Sequence, residues 1–404
     1  MNDLKQSIQA LTQSSSAKST LSNSKNAKAT RKLVVLRTHS AFKQCLQHCK
    51  SLGIQPIRTI KTLHAILLAV HPQADIGPLK RNALVRRVES DPKIKLHNIQ
   101  KKASVRITAC ASIDTPQIIP WGIARVKAPL VWKTTEGSPV RVAVLDTGIA
   151  KHPDLRVVKS FNTIDKKPVR DLNGHGTHVA GTIAALRNSF GVVGVAPKAK
   201  LYAVKAFNSK GTGFTSDIIQ GIDWCIRNRM QVINMSFGLS NYSASLQQII
   251  RKAHRRGIVM VASCGNSGQN SGTIDYPARF PETIAVAATT VNNQIAYFSS
   301  RGAGISVAAP GEDVCSTYLN NSYTKLSGTS MAAPHVTGTV ALLLSRRPRL
   351  SPNAVKLRLQ RSAKFLSGFT RNDQGSGLIN AAAKAVLATS SLSKVKLKAP
   401  VKRV

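Results

Sequence analysis

The chain has 404 residues, which leaves room for more than one domain. It contains 58 Lys or Arg residues but only 17 Asp or Glu residues, so its formal net charge at pH 7 is +41. Such a charge favours association with polyanions. No run of residues approaches the roughly 18 apolar positions of a membrane-spanning helix, and we therefore expect no transmembrane segment.

Residues 1–31 are rich in Ser, Lys, Asn and Thr, and we predict that they form a disordered segment. They contain no aliphatic run long enough for the hydrophobic region of a signal peptide. Their Ser-rich, acid-poor composition is weakly typical of a transit peptide. The sequence therefore leaves the cellular location open.

A small α+β unit is predicted for residues 32–97. The runs LVVL, IQPIRTI, LHAILLAV and LVRRVESD are typical of strands, and helical segments follow the first and third of them. The order strand, helix, strand, strand, helix, strand is that of a ferredoxin-like fold.

A larger α/β unit follows. The runs VRVAVLD, KLYAVKAF, QVINMSF and GIVMVAS are short and apolar, and helical patterns separate them. This alternation predicts a parallel sheet with helices on both faces.

Three segments of the larger unit contain residues suited to acyl transfer. Asp146 ends the run RVAVLD, at the kind of strand end where the sites of open α/β sheets lie. His175 lies in DLNGHGTHVAGT, where small residues crowd the imidazole. Ser330 begins an apolar helical pattern, and a helix N-terminus can hold the negative charge of an acyl-transfer intermediate. These residues can supply the acid, base and nucleophile of a triad.

Each of these residues also has a simpler interpretation. Ser330 could serve only as a helix N-cap. His175 and His178, three residues apart, could be core or surface residues of one helix. A zinc pair is less expected, because neither an HExxH motif nor paired cysteines accompany them.

The segments VLDTGI, HGTHVAG and GTSMAAPH closely resemble the signature motifs of the subtilisin-like serine proteases, in the same chain order. The resemblance runs from Gln117 to about residue 388. It implies a serine endopeptidase in which Ser330 attacks the peptide carbonyl, His175 transfers the proton and Asp146 orients the imidazole.

The resemblance also implies the residues that bind the substrate. Asn266 would donate its side-chain amide to the oxyanion, beside the backbone N–H of Ser330. The segments SKGTG and INMSFG resemble the two strands that hold an extended substrate by backbone hydrogen bonds. The residues implied are Gly211, Thr212, Gly213, Ser236, Phe237 and Gly238. Phe237 departs from the leucine that is usual there, so this wall of the pocket is expected to differ.

Asp275 aligns with a position near the floor of the pocket for the P1 residue, the substrate residue that precedes the scissile bond. The family commonly has a small neutral residue there. A carboxylate at this point would pair with a Lys or Arg side chain, which favours basic P1 residues. The alternative is that Asp275 is a solvated loop residue or is paired with Arg279.

A structural Ca²⁺ site is implied by the same resemblance. Carboxylate, amide and carbonyl oxygens together suit such a hard cation. The implied ligands are Gln117, Asp154, Asn188 and the carbonyl groups of Leu186, Phe190 and Val192.

The resemblance divides the chain further. Residues 32–97 would be a propeptide that assists folding and inhibits the enzyme, although an unrelated binding domain is an alternative. Residues 98–116 would be a linker with the processing region, residues 117–388 the catalytic domain, and residues 389–404 a basic tail.

Other properties are less specified. The family implies secretion, and we expect a monomer. Cys225, Cys264 and Cys315 lie in apolar or tightly packed segments typical of buried thiols, and no spacing forces a disulfide. The rival function is a polyanion-binding protein on an inactive or secondary protease scaffold, but no nucleic-acid-binding motif supports it.

Overall fold

The computed structural model describes residues 4–11, 29–96, 109–165 and 167–383. These residues form an N-terminal unit, residues 4–96, and a C-terminal unit, residues 109–383. The basic tail predicted at 389–404 and most of the predicted linker lie outside the described residues. No helix within the described ranges is long and apolar enough to cross a membrane.

The N-terminal unit is a four-stranded antiparallel sheet with helices. Its elements are α1 (Leu4–Gln9), β1 (Thr30–Leu36), α2 (His39–Ser51), β2 (Arg58–Ile60), β3 (Ala65–Val70), α3 (Gly77–Arg81) and β4 (Val85–Ser90). The strand order is β2-β3-β1-β4, and β1 pairs with both β3 and β4. This arrangement confirms the predicted ferredoxin-like plan.

Both faces of this sheet are buried. Because successive side chains of a strand point to opposite faces, Val34 and Leu36 pack among the helices of the N-terminal unit. Leu33 and Val35 pack on the other face with apolar residues of α6 and α7, two helices of the C-terminal unit (Thr215–Arg227 and Ala244–Arg255). The sheet is therefore the surface by which the two units contact each other.

The expectation of disorder for residues 1–31 is wrong where the structure describes this segment. Leu4, Ile8 and Leu11 are buried against α2 and α3, and β1 begins at Thr30. The three apolar residues repeat at helical spacing, but the polar composition around them outweighs this short signal.

The C-terminal unit, together with the short strand β5 that precedes it, contains the remaining elements. They are β5 (Lys93–Lys95), α4 (Trp121–Arg125), β6 (Arg141–Asp146), β7 (Val157–Asn162), α5 (His175–Ala184), β8 (Lys200–Lys205), β9 (Thr212–Phe214), α6, β10 (Val232–Met235), α7, β11 (Val259–Ser263), β12 (Thr283–Thr289), β13 (Val307–Pro310), β14 (Val314–Thr317), β15 (Tyr323–Leu326), α8 (Thr329–Arg346), α9 (Pro352–Ser362) and α10 (Arg371–Gln374). Seven strands form one parallel sheet in the order β13-β12-β11-β10-β6-β8-β7.

This parallel sheet is covered by helices on both faces, as predicted. Val232 of β10 packs in the core that contains α5 and α8, while its neighbour Ile233 packs with α6 and α7. Residues 329–344 of α8 are all buried, so this helix lies at the centre of the unit. The carboxyl end of β6 and the N-termini of α5 and α8 provide the candidate site.

A disulfide bond joins Cys110 to Cys315, with a Cα–Cα distance of 6.0 Å. The expectation that Cys315 is a buried free thiol is therefore wrong. The two cysteines are 205 residues apart, so no local spacing could indicate the pair. Cys225 and Cys264 are buried and free, as expected.

Candidate active site

Asp146 and His175 form a buried hydrogen-bonded pair. Asp146 is the last residue of β6 and His175 is the first residue of α5. The Nδ1 atom of His175 lies 2.7 Å from Oδ1 of Asp146, and both side chains are buried. The carboxylate therefore fixes the orientation of the imidazole ring.

A close approach of backbones brings α5 to the end of β6. A Cβ atom at Gly176 would lie 2.1 Å from the carbonyl oxygen of Gly148, so only glycine fits. The N–H of Gly176 also donates to the hydroxyl of Thr147, at 2.9 Å. The small residues around His175 therefore allow the close packing that the sequence indicated.

The charge environment favours protonation of His175. Burial lowers its pKa, but the charge and hydrogen bond of Asp146 and the charge of Asp171 outweigh burial, so the pKa is raised. Asp171 is itself held by four hydrogen bonds, from the backbone N–H groups of Asn173, Gly174 and Thr177 and from the Thr177 hydroxyl. The site therefore stabilises an imidazolium ion.

Ser330 is the second residue of α8, a helix that packs against α5. Its hydroxyl donates to the carbonyl of Ser236 at 2.9 Å, and the Ser236 hydroxyl donates to the carbonyl of Ser330 at 2.8 Å. Ser330 is thus fastened to one of the predicted substrate strands. The N-cap of α8 is Gly328, so the interpretation of Ser330 as an N-cap is wrong.

His178 is a core residue, as the simpler interpretation proposed for it. Its Nε2 atom lies 2.9 Å from the carbonyl oxygen of Val314 and 3.2 Å from that of Thr324. Burial lowers its pKa to about 3, so the ring stays neutral. Among the described residues, no group of three or more His, Cys, Asp or Glu side chains is arranged to hold a metal ion.

The side chain of Asn266 has a fixed orientation beside the start of α8. Its Oδ1 atom accepts hydrogen bonds from the backbone N–H of Thr329 at 2.9 Å and from the Thr329 hydroxyl at 2.8 Å. The Nδ2 group is consequently on the other side of the amide and can donate to a ligand. This is the orientation that an oxyanion-binding amide needs.

The predicted substrate wall at Gly211, Thr212 and Gly213 is occupied by the chain itself. Strand β9 pairs with β5 in an antiparallel manner, with Ile94 opposite Gly213. The N–H of Leu96 donates to the carbonyl of Gly211 at 2.8 Å. The end of the N-terminal unit therefore forms the backbone hydrogen bonds that an extended peptide would form there.

The opposite predicted wall consists of Ser236, Phe237 and Gly238. Gly238 and β5 line the same cavity, of about 630 Å³. Phe237 is fully buried and its ring lies 5.2 Å from that of Phe207. The phenylalanine that replaces the usual leucine therefore fills the core behind the wall.

Asp275 lies beside the loop that contains Asn266. Its Oδ2 atom would be 2.5 Å from a Cβ atom at Gly265, the neighbour of Asn266. The next residue, Tyr276, forms two backbone hydrogen bonds with Leu239, at 2.7 and 2.9 Å. The guanidinium group of Arg279 lies over the Tyr276 ring.

The residues predicted to bind Ca²⁺ lie together. The Nε2 atom of Gln117 is 2.8 to 3.2 Å from four oxygen atoms at once. They are the carbonyl oxygens of Leu186, Phe190 and Val192 and Oδ1 of Asn188. Nδ2 of Asn188 donates to Oδ1 of Asp154, which brings the carboxylate to the same cluster. A convergence of one carboxylate, two amides and three carbonyls fits Ca²⁺.

Three side chains of the site were not anticipated from the sequence. Thr147 holds the backbone of α5, Asp171 raises the pKa of His175, and Thr329 orients Asn266. Thr147 and Thr329 lie inside recognised motifs, and Asp171 lies just before the motif HGTHVAG. Each is within four residues of a candidate catalytic residue. Position within the motif was the available signal, but short side chains there are also typical of turns.

The fold and this site define a serine protease. The chain belongs to the subtilase family, because the profile described as "Subtilase family" matches residues 137–382. This match confirms the resemblance seen in the motifs and the prediction of a serine endopeptidase.

Curated relatives agree with this assignment. The chain is 46% identical over 301 residues to "Alkaline protease" of Alkalihalobacillus alcalophilus, which covers 74% of this chain and 76% of the relative. It is 49% identical over 269 residues to "Subtilisin Savinase" of Lederbergia lenta, which covers 66% of this chain and 98% of the relative. It is 48% identical over 274 residues to "Subtilisin DY" of Bacillus licheniformis, which covers 67% of this chain and 99% of the relative.

Proposed function

We propose that Asp146, His175 and Ser330 form the catalytic triad of this serine endopeptidase. The observation that carries the proposal is the buried Asp146–His175 pair, 2.7 Å apart, beside a helix whose second residue is Ser330. Ser330 Oγ attacks the substrate carbonyl while Nε2 of His175 takes the hydroxyl proton, and Asp146 stabilises the imidazolium. His175 then protonates the leaving amine, and water hydrolyses the acyl-enzyme by the same steps.

Two hydrogen-bond donors stabilise the tetrahedral intermediate in this mechanism. They are the Nδ2 group of Asn266 and the backbone N–H of Ser330. The Ser330 hydroxyl has to rotate away from the Ser236 carbonyl to reach His175, a change compatible with a site that tightens only when substrate binds.

We also propose that residues 32–97 are the propeptide of a zymogen. Support comes from the pairing of β5 with β9, which fills the wall where a substrate strand would lie. Leu96 is hydrogen-bonded to that wall, whereas Cys110 is bonded to the C-terminal unit. A cut within the predicted linker, before Cys110, would therefore release the N-terminal unit and leave residues 110–116 attached to the enzyme.

Asp275 is proposed to favour Lys or Arg as the P1 residue. Its carboxylate lies against Gly265. The next residue, Tyr276, is hydrogen-bonded to Leu239, which follows Gly238 of the predicted wall. A basic P1 side chain would be paired there in partly desolvated surroundings.

The Ca²⁺ site is proposed to be structural. Gln117, Asp154, Leu186, Asn188, Phe190 and Val192 would hold the ion. Bound Ca²⁺ would tie the segment that begins at Gln117 to the loop that follows α5.

Export to an oxidising compartment is proposed as the location. Disulfides such as Cys110–Cys315 persist mainly in secreted and extracytoplasmic proteins. This adds a physical reason to the secretion that the family resemblance implies.

The test compares the wild-type chain with Ser330→Ala, each incubated with Ca²⁺, by intact mass, N-terminal sequencing and casein cleavage. We expect the wild type to lose roughly its first 100 residues, as a cut in the linker between the paired strand β5 and Cys110 requires, and to cleave casein. Ser330→Ala should stay whole, and Ser362→Ala, at the remote end of α9, should behave like the wild type. If wild type and Ser330→Ala both stay whole and neither cleaves casein, the proposal fails and the inactive scaffold becomes the better interpretation.

A further inference from the structure

A basic cavity lies where the N-terminal unit meets α7. Its volume is about 470 Å³, and it is lined by seven Arg, Lys or His residues, four from the N-terminal unit and three from α7. No Asp or Glu is among the described residues that line it. Two units that contact each other through an apolar sheet face thus also bring like charges together at the edge of that contact.

Some of these cations already have anionic partners nearby. Arg87 pairs with Glu89 at 2.6 Å, and Arg251 pairs with Glu282 at 3.0 Å. Lys252 donates to the backbone carbonyl of Thr62. These contacts hold the edges of the cavity in place.

Three other cations of the cavity differ in their contacts: Arg37, Arg86 and Arg255. Within the described ranges, none of these three guanidinium groups forms an ion pair or a hydrogen bond with another residue. Arg37 and Arg86 come from the N-terminal unit, and Arg255 comes from the last turn of α7. Three guanidinium groups from two units therefore border one cavity without a carboxylate.

Positive charges at the cavity also lower the pKa of two neighbouring groups. Burial and the charges of Arg256, Arg86 and Arg255 lower the pKa of Lys252. Burial and the charges of Lys252 and His39 lower the pKa of His64. Asp223 and the two ion pairs thus compensate this positive charge only in part. An anion would relieve the remaining repulsion.

We propose that this cavity binds a phosphate-type oxyanion through Arg37, Arg86 and Arg255, and that the bound anion holds the N-terminal unit against α7. Arginine presents a planar set of donors that matches a tetrahedral oxyanion, so three arginines can engage several oxygens at once. The anion can be free inorganic phosphate or a phosphate group of a larger ligand. The consequence for activation rests on the proposed function, because only a propeptide would be retained in this way.

The binding test uses the full chain with Ser330→Ala, which is expected to stay whole. Inorganic phosphate is titrated by calorimetry in buffer without added Ca²⁺, against chloride at equal ionic strength. We expect saturable binding of one phosphate per chain. Thermal unfolding should show a midpoint raised by about 2–4 °C at saturating phosphate and unchanged by chloride.

Two triple variants locate the binding. R37Q/R86Q/R255Q should weaken phosphate binding at least tenfold, since each lost charged hydrogen bond removes a substantial part of the affinity. The matched control R141Q/R229Q/R349Q removes the same charge from the neighbouring basic cavity at the end of α7. Arg255 lines both cavities, and the control keeps it. This variant should bind phosphate like the parent. No saturable binding, or equal weakening in both triple variants, would overturn the proposal.

A longer probe distinguishes the sources of the anion. If a long polyphosphate chain binds and competes with phosphate, a larger ligand also uses the cavity. If only the long chain binds and both triple variants weaken it alike, general surface charge is responsible and the proposal is wrong.

The effect of phosphate on processing is measured with the chain that retains Ser330. With Ser330 present, phosphate should slow the loss of the N-terminal unit about threefold or more in the parent but not in R37Q/R86Q/R255Q. Phosphate binding without any change in this rate would contradict the retention of the unit. A chain that never processes itself would contradict the proposed function, and the Ser330→Ala titration would still decide the anion site.

Discussion

Thr329 holds the side chain of Asn266 by two hydrogen bonds, from its backbone N–H at 2.9 Å and from its hydroxyl at 2.8 Å. Both bonds end on Oδ1, so the amide cannot exchange its oxygen and nitrogen positions without losing them. The residue before the candidate nucleophile thus determines which way the candidate oxyanion donor points.

The first prediction concerns this orientation. Thr329→Val keeps the shape of the side chain but removes the hydroxyl, and we expect kcat to fall about tenfold with little change in KM. Asn266→Leu should lower kcat by a factor of about 100 to 1,000. In the double variant the valine should add no further loss, because its effect acts through Asn266. If Thr329→Val lowered kcat equally in the wild-type chain and in Asn266→Leu, Thr329 would act by a route other than Asn266.

The second prediction concerns pH. In the proposed mechanism, His175 must be neutral to accept the Ser330 proton. Its pKa is raised above its ordinary value of about 6.5. Activity should therefore be complete above the raised pKa and should fall as pH decreases through it. The profile of kcat/KM against pH measures this midpoint.

A charge variant tests the cause of that shift. Asp171→Asn removes one carboxylate that raises the pKa of His175, so the midpoint should move to lower pH. Glu282→Gln, which removes a carboxylate paired with Arg251, is the control and should leave the midpoint in place. A midpoint that is identical in all three proteins would contradict the assigned role of Asp171.

The third prediction concerns Ca²⁺. Chelation should lower the midpoint of thermal unfolding by several degrees, because an ion that binds only the folded state adds about 2.7 kcal/mol at 100 times its dissociation constant. Asn188→Ala removes one proposed ligand and should make the protein less sensitive to chelation. Asn228→Ala, at the end of α6, should respond as the wild type does. A wild-type midpoint that is unaffected by chelation would contradict the site.

The fourth prediction concerns the disulfide. A variant with Cys110→Ser and Cys315→Ser loses a cross-link that closes a loop of 205 residues, and we expect a loss of about 2–4 kcal/mol in the free energy of unfolding. A reducing agent should destabilise the wild type to a similar extent and leave the double variant unchanged. Urea denaturation measures both effects.

The fifth prediction concerns P1 specificity. Matched peptides with Lys or Arg at P1 should be cleaved faster than those with Leu or Phe, and Asp275→Asn should lower kcat/KM for the basic peptides about tenfold or more. Cleavage after Leu or Phe should change little in this variant. Faster cleavage after Leu or Phe by the wild-type enzyme would contradict the proposal.

The fold was largely predictable because its signals are local. The runs that became β6, β8, β10 and β11 are mostly apolar, as is typical of parallel strands buried on both faces. The motifs around Asp146, His175 and Ser330 could likewise be recognised. In each motif, the turn residues and the small residues are close sequence neighbours of the candidate catalytic residue.

Sequence patterns that are short, or that lie among residues of different character, did not predict the structure correctly. The helix α1 has only six residues, and its few apolar positions lie within a segment whose polar composition predicts disorder. The apolar pattern places the start of α8 at Ser330, but the helix begins one residue earlier, at Thr329.

The sequence by itself determined four of the seven strands of the parallel sheet, the identity of the candidate triad and the family, because apolar runs and motifs are local signals. The Cys110–Cys315 bond, the hydrogen bonds between Thr329 and Asn266 and the basic cavity between the two units were decided only by the tertiary structure. Each of them joins residues at least 60 positions apart in the chain. Such contacts depend on how the helices and strands pack against one another, and a short stretch of sequence does not contain that information.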